Sequence, residues 1–154
     1  MQRSGFRLKL CITLLCVNLA FIWGNSLLPG ELSGAFSDWV KDLLRALFGG
    51  SSGGGGGGGL LRKLAHFTEF TCLGLCLCWL FRMVRSKTSE HWLLPLLCGF
   101  LAACIDETIQ IFVPLRGPAV KDVGIDTSGV LLGIVIINVC QQIKISKNNG
   151  GKEQ

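Results

Sequence analysis

Two acidic residues lie side by side inside an apolar stretch of the sequence, Asp106 and Glu107 in "FLAACIDETIQIFVPLRG". A carboxylate near the centre of a membrane-spanning helix costs up to about 2.5–3.5 kcal/mol on insertion scales, so the pair needs partners in protein or in a water-filled cavity. Gln110 lies four residues after Asp106 and three after Glu107. On a helix these three side chains share one broad polar face, which is able to move protons or bind cations.

A second group of ionisable residues occurs in "LLRKLAHFTEF". Arg62 and Lys63 lie four and three residues before His66, and Glu69 lies three residues after it, so the side chains form a stripe over two helical turns. Basic residues at such a boundary are commonly interfacial anchors, an explanation that does not extend to His66 and Glu69. The stripe therefore adds an imidazole and a carboxylate, both acid-base groups, to the acidic pair.

A third polar segment, "KDVGIDTSGVLLG", places Asp122 and Asp126 four residues apart on one helix face. Gly129 and Gly133 follow, also four apart, a spacing that lets another helix approach closely. That partner helix belongs either to the same chain or to a second copy in a homodimer.

The elements that carry these residues are predicted from four apolar stretches, 8–28, 64–81, 92–113 and 123–140. The chain has 154 residues, of which 49% are apolar and 16% charged, whereas an ordinary soluble domain is about a quarter charged. Stretches of this length cross a hydrocarbon core of about 30 Å. We predict an all-α, polytopic membrane bundle of about four transmembrane helices in one domain, 1–154. The first stretch has a cleaved signal peptide as its alternative interpretation.

The first connection is predicted to contain a helix over 37–48, followed by a flexible glycine-rich linker over 49–59. In "FSDWVKDLLRALFGG" the apolar residues recur at helical spacing, and charged residues lie on the other face. Such an amphipathic helix lies in the membrane interface, here with Trp39 at the headgroups, or packs on the bundle.

Lys and Arg are concentrated before the first stretch, between the second and third, and after the fourth. This distribution predicts a multi-pass protein with both termini in the cytoplasm. The net charge of +5 is thus explained by topology, and no basic run with interleaved aromatic residues indicates a nucleic-acid partner. The first and third connections then face outside.

Under this topology the ionisable residues of three helices and one turn map to the outer third of the membrane, where we predict an outward-facing pocket. We expect its carboxylates to face His66 and the basic side chains. The alternative is a purely structural charge network, which stabilises the bundle and binds no ligand. The predicted ligand-binding residues are Arg62, Lys63, His66, Glu69, Asp106, Glu107, Gln110, Arg116, Asp122 and Asp126.

The three motifs, at 62–70, 105–117 and 121–133, resemble those of the VanZ-like family of small membrane proteins, named for a teicoplanin-resistance determinant. The order and spacing match, and "NSLLPGELSGAFS" in the first connection is similar as well. The resemblance implies a helical bundle in the cell membrane of a wall-bearing bacterium and an effect on glycopeptide susceptibility.

The chain departs from the family pattern at three positions. Phe70 stands where the family often has Tyr, Leu115 where it often has Gly, and Asp126 where Asn is also common. The first two departures concern local detail only.

Three classes of function fit these residues. The first is a protein that binds a cell-envelope lipid, a wall precursor or a lipoglycopeptide in the lipid bilayer, with no cofactor and no assigned metal ligands. The second is an intramembrane enzyme with His66 and Glu107 as acid-base candidates and with Asp106, Asp122 and Asp126 as metal or positioning groups. The third, a small transporter, is disfavoured because four helices form a narrow conduit. We predict the first class, with the enzyme as alternative.

Overall fold

The fold is a bundle of α-helices, in a computed structural model that describes residues 2–48, 57–84, 92–117 and 119–150. Its five helices are α1 (Gln2–Ser26), α2 (Gly30–Phe48), α3 (Gly57–Val84), α4 (Leu93–Ile111) and α5 (Val120–Gly150). Among the described residues, four segments are long and apolar enough to cross a membrane: Gly5–Ser26, Leu60–Val84, Leu93–Ile111 and Val120–Lys144. The predicted all-α membrane bundle is therefore confirmed.

Three helices extend further than the apolar stretches predict. α1 begins at Gln2, α5 continues to Gly150, and α3 begins at Gly57 inside the predicted glycine-rich linker. An apolar stretch marks only the part of a helix that suits hydrocarbon, whereas backbone hydrogen bonds continue into polar flanks. Residues 57–59 of the predicted linker are thus helical, and residues 49–56 lie outside the described residues.

Helix α4 is shorter than predicted and ends at Ile111. Pro114 explains the early end, because proline disfavours helical backbone in the residue before it and cannot donate a hydrogen bond itself. Phe112 and Val113 make only the tighter bonds of a last turn, to Ile109 O (3.1 Å) and Gln110 O (3.2 Å). Asp106 consequently lies five residues from the helix end, a depth of roughly 7 Å at the helical rise.

A helix, α2, does occupy the first connection, and it packs on α3. It begins at Gly30, seven residues earlier than the predicted amphipathic helix. Trp39 is 60% exposed, but the side chains of Phe36, Leu44, Leu47 and Phe48 lie outside the described part of the chain. The apolar face and the interfacial position of this helix therefore stay predictions.

Glycines allow α3 and α5 to make the most extensive helix contact of the fold. A Cβ atom added at Gly129 would lie 2.5 Å from Phe67 O, and one at Gly133 would lie 2.7 Å from Leu75 N, so the two backbones touch. Gly74 makes the same kind of approach from α3 towards Val130. The predicted close packing at the glycine pair is thus present, and its partner helix is α3 of the same chain.

The hydrophobic core lies beside this contact and joins all four spanning helices. Its largest fully buried side chains are Phe70, Ile22, Leu73 and Ile134. Phe70 is 0% exposed. A tyrosine at this position would bury its hydroxyl group, which would then need a hydrogen-bond partner. The core therefore fixes the rotation of α3 about its own axis. This rotation also sets the direction of the polar stripe on the same helix, from Arg62 to Glu69.

A backbone hydrogen bond joins the turn between α4 and α5 to the start of α2. Gly30 N–H donates a hydrogen bond to Pro114 O (3.2 Å), and a Cβ atom at Gly30 would collide with the carbonyl of Leu115. Leu115 has a φ of 59°, the left-handed conformation, and its side chain is 74% exposed. That conformation explains why glycine suits this position.

Replacing Leu115 by glycine is expected to stabilise the protein relative to Leu115→Ala by about 1 kcal/mol, because only glycine adopts positive φ without strain. Both variants remove the same exposed side chain, so their difference isolates the backbone conformation. The free energy of unfolding in detergent, followed by tryptophan fluorescence, gives this difference. Equal stability of the two variants would contradict the assignment of strain to Leu115.

Candidate functional site

All ten residues of the predicted pocket lie at one end of the bundle, where α1 and α4 end and α3 and α5 begin. Side-chain contacts between helices show this directly. Lys63 Nζ on α3 forms an ion pair with Asp122 Oδ1 on α5 at 2.9 Å. Arg62 Nη2 on α3 donates a hydrogen bond to Gln110 Oε1 on α4 at 2.8 Å. Residues that are distant in the sequence thus form one polar cluster.

Gln110 is the hub of the cluster, and its side chain is only 2% exposed. Its amide nitrogen donates to Asp106 Oδ2 at 2.8 Å and to Ser26 Oγ at 3.2 Å, while its carbonyl oxygen accepts from Arg62. One amide therefore ties α1, α3 and α4 together, and it holds one oxygen of a fully buried carboxylate.

His66 lies between the carboxylates of three helices. Its Nδ1 is 3.9 Å from Glu69 Oε2 on its own helix and 3.9 Å from Asp106 Oδ2 on α4. His66, Asp106 and Asp126 each offer a ligand atom, and these three atoms lie within 4.8 Å of one another. His66 and Asp126 are thus brought together by α3 and α5.

Helix α1 contributes polar residues that the sequence reasoning missed. Asn25 Nδ2 donates to Glu69 Oε1 at 3.0 Å, and Ser26 accepts from Gln110. Asn18 Nδ2 lies 3.5 Å from the backbone oxygen of Glu69. The available signal was the seven-residue spacing of Asn18 and Asn25 in an otherwise apolar stretch, which puts both on one helix face.

Arg116 lies in the turn after α4 and binds the end of α1. Its Nε donates to Leu28 O at 3.0 Å and its Nη2 to Asn25 O at 2.7 Å, while Nη1 is buried without a hydrogen-bond partner. Burial, and next the positive charge of Arg62, lower the pKa of Arg116 from its ordinary value. The guanidinium nevertheless stays charged at neutral pH.

Glu107 points towards the start of α5, where its Oε2 accepts the backbone N–H of Ala119 at 2.9 Å. Its neighbour Asp106 points to Gln110 instead. The acidic pair is therefore split between two sets of partners, one in the hub and one at the turn.

Arg62, Glu107 and Asp126 border one cavity, but among the described residues no arginine forms an ion pair with a carboxylate. Lys63 pairs with Asp122 as expected, but Arg62 bonds to an amide and Arg116 to carbonyl groups. The reason is local: the last carbonyl groups of α1 have no intrahelical donor and attract a basic side chain. Within the described part of the chain, neither guanidinium group therefore forms an ion pair with a carboxylate.

Two cavities meet at this cluster. The small cavity, about 100 Å³, is bounded by His66, Glu107, Gln110, Asp122 and Asp126 among others. The large groove, about 570 Å³, lies between α1, α2 and α3. Arg62 and His66 line both.

The large groove has apolar walls and a charged end. Phe21, Val40, Leu61 and Leu64 contribute to the walls, and Arg116 contributes to the charged end. Its volume falls in the range of about 300–1,000 Å³ that is common for small-molecule sites. The arrangement suits a molecule with an apolar part and an anionic part.

A bundle of spanning helices with ionisable side chains collected at one end defines a multi-pass membrane protein. The chain belongs to the VanZ/LLP1 family, whose model matches residues 10–141. All three motifs that carry the resemblance lie within the matched residues, and the predicted family is confirmed. No curated protein and no solved structure matches the chain.

Proposed function

We propose that this protein is a multi-pass protein of a bacterial cell membrane that binds an anionic amphiphile of the cell envelope: a lipid, a wall precursor or a teicoplanin-type lipoglycopeptide. The large groove is the observation that carries the proposal, because its apolar walls end at Arg62 and Arg116. Binding of teicoplanin through its acyl chain lowers the access of the antibiotic to its target and confers resistance.

The orientation in this proposal follows from the positive-inside rule. Both termini and the connection between α3 and α4 are cytoplasmic, so the polar cluster and the large groove face outwards. Wall precursors and glycopeptides are present on that side. The lipid bilayer supplies the route by which an acyl chain enters between α1 and α3.

Arg62 and Arg116 provide the anion contacts. Neither forms an ion pair within the described residues, and Nη1 of Arg116 is buried without a partner. Charge-assisted hydrogen bonds are worth about 1.5–3 kcal/mol, so the loss of one is expected to weaken binding roughly tenfold or more.

Teicoplanin susceptibility of a sensitive wall-bearing host tests the proposal. Wild type is expected to protect, whereas Ala65→Phe, which places an aromatic ring in the large groove and changes no charged residue, is expected to return susceptibility to the empty-vector level. Ala20→Phe, an exposed site on α1 outside the groove lining, is the matched control and keeps protection. Immunoblots match the membrane levels of all variants.

The cluster of His66, Asp106 and Asp126 favours an intramembrane enzyme as the second candidate, since an imidazole and two carboxylates suit acid-base or metal-assisted chemistry. The same assay separates the two candidates. Protection that survives Ala65→Phe but is lost in Asp126→Asn and Glu107→Gln would replace the binding proposal with the enzyme. Failure of wild type to protect would remove teicoplanin from the ligands considered.

A further inference from the structure

Three helices deliver one potential metal ligand each to the same point. His66 comes from α3, Asp106 from α4 and Asp126 from α5, with ligand atoms within 4.8 Å of one another. Asp106 is 0% exposed and Asp126 2% exposed. Metal–ligand bonds of about 2.0–2.2 Å to imidazole nitrogen and carboxylate oxygen require only a small contraction of this triangle.

Two side-chain atoms of this triangle lack a hydrogen-bond partner in the protein. His66 Nδ1 and Asp106 Oδ1 are both buried without a hydrogen-bond partner. Buried polar groups are as a rule hydrogen-bonded, and buried charges are paired or coordinate metals. A cation at the centre of the triangle would give the His66 nitrogen and the Asp106 carboxylate a common partner.

The hub residue orients one of these ligands. Gln110 Nε2 donates at 2.8 Å to Asp106 Oδ2, the oxygen that lies 3.9 Å from His66 Nδ1. A hydrogen bond from a neighbouring side chain to a ligating carboxylate is the usual arrangement around protein metal sites. The Gln110 contact therefore has a role in ligand positioning as well as in helix packing.

The small cavity beside the triangle provides room for further ligands. It has a volume of about 100 Å³ and is bounded by His66 and Asp126. A single water needs only about 10–15 Å³ measured in this way, so several waters fit beside a cation. Three protein ligands with an open position are typical of metal sites that bind or activate a further molecule.

We propose that His66, Asp106 and Asp126 bind one divalent first-row transition-metal cation, with water from the small cavity completing its coordination. Imidazole together with carboxylate favours cations such as Zn²⁺ or Mn²⁺, whereas Mg²⁺ prefers oxygen ligands alone. Asp122 is not part of this site, because Lys63 already pairs with it. The inference does not depend on the proposed amphiphile, since it rests only on the three helices and the small cavity.

Metal binding by the full chain in detergent tests the site. After removal of any affinity tag and of metal by chelation, equilibrium dialysis against Zn²⁺ or Mn²⁺ is expected to give one ion per chain. At a hundredfold excess over the dissociation constant, the Tm is expected to rise by roughly 5–10 °C. Mg²⁺ at the same concentration is expected to leave the Tm unchanged.

Variants identify the ligands. His66→Gln and Asp126→Asn are expected to lose both the bound ion and the Tm rise, whereas Glu31→Gln, an exposed carboxylate on α2, keeps both. Wild-type protein that binds neither Zn²⁺ nor Mn²⁺ stoichiometrically would overturn the proposal, whatever the variants do. An ion retained in folded Asp126→Asn would also overturn it, and neither result bears on the binding of an amphiphile, which Ala65→Phe tests.

Discussion

Replacement of Gly129 or Gly133 by alanine is expected to destabilise the bundle by about 3 kcal/mol for each, the upper end of the usual cost of overpacking. The added Cβ atom would meet backbone atoms of α3, at 2.5 Å from Phe67 O for Gly129 and at 2.7 Å from Leu75 N for Gly133. A backbone cannot rotate away as a side chain does. The two helices must therefore separate along their most extensive contact.

Gly124→Ala is the matched control on the same helix, because nothing lies within 4 Å of a Cβ atom at that position. It is expected to leave stability unchanged or to raise it by up to about 1 kcal/mol through helix propensity. Thermal unfolding in detergent, followed by tryptophan fluorescence, compares the variants. Equal losses at Gly124 and Gly129 would contradict the packing role of Gly129.

Helix packing also determines how much of the site could be predicted from the sequence. The motif helices were predictable, since long apolar stretches set the spans and helical spacing set the polar faces. The position of each pocket residue at one end of the bundle follows from the alternating direction of short-connected spans. The rotation of α3 against α5, which decides that His66 meets Asp126, depends on Gly74, Gly129 and Gly133.

The pairing of individual groups was much less predictable. Arg116 bonds to the carbonyl groups of Asn25 and Leu28, and Glu107 accepts the N–H of Ala119. Every residue has the same backbone groups, so the sequence gives no sign of which of them a side chain will reach. Charge alone predicts that the carboxylates face basic side chains, but it does not predict which backbone groups bind the arginines.

The left-handed turn at Leu115 illustrates a second limit. Leucine rarely adopts a φ of 59°, and its residue type predicts ordinary backbone. The conformation is imposed from outside, by the bond from Gly30 to Pro114 and by the short path from α4 to α5. Only the family pattern, with glycine common at this position, indicated it.

The second large effect is expected at Gln110, where Gln110→Leu should destabilise the protein by about 3–5 kcal/mol. The change removes the hydrogen bond to Oδ2 of the fully buried Asp106 carboxylate, whose Oδ1 already lacks a hydrogen-bond partner, and it removes the acceptor of Arg62 Nη2. Each buried group left without a partner costs about 1–3 kcal/mol, and charged groups cost more. Unfolding in detergent measures the loss.

Two further variants distinguish the hydrogen-bonding role of Gln110 from a role in packing alone. Gln141→Leu, at an exposed position on α5, is expected to stay within about 0.5 kcal/mol of wild type. The double variant Gln110→Leu with Asp106→Leu is expected to recover at least about 1 kcal/mol, because replacing both partners by apolar groups removes the unsatisfied carboxylate. Strictly additive losses would mean that Gln110 stabilises the bundle by shape alone. In that case the Asp106 oxygens would not depend on it for their orientation.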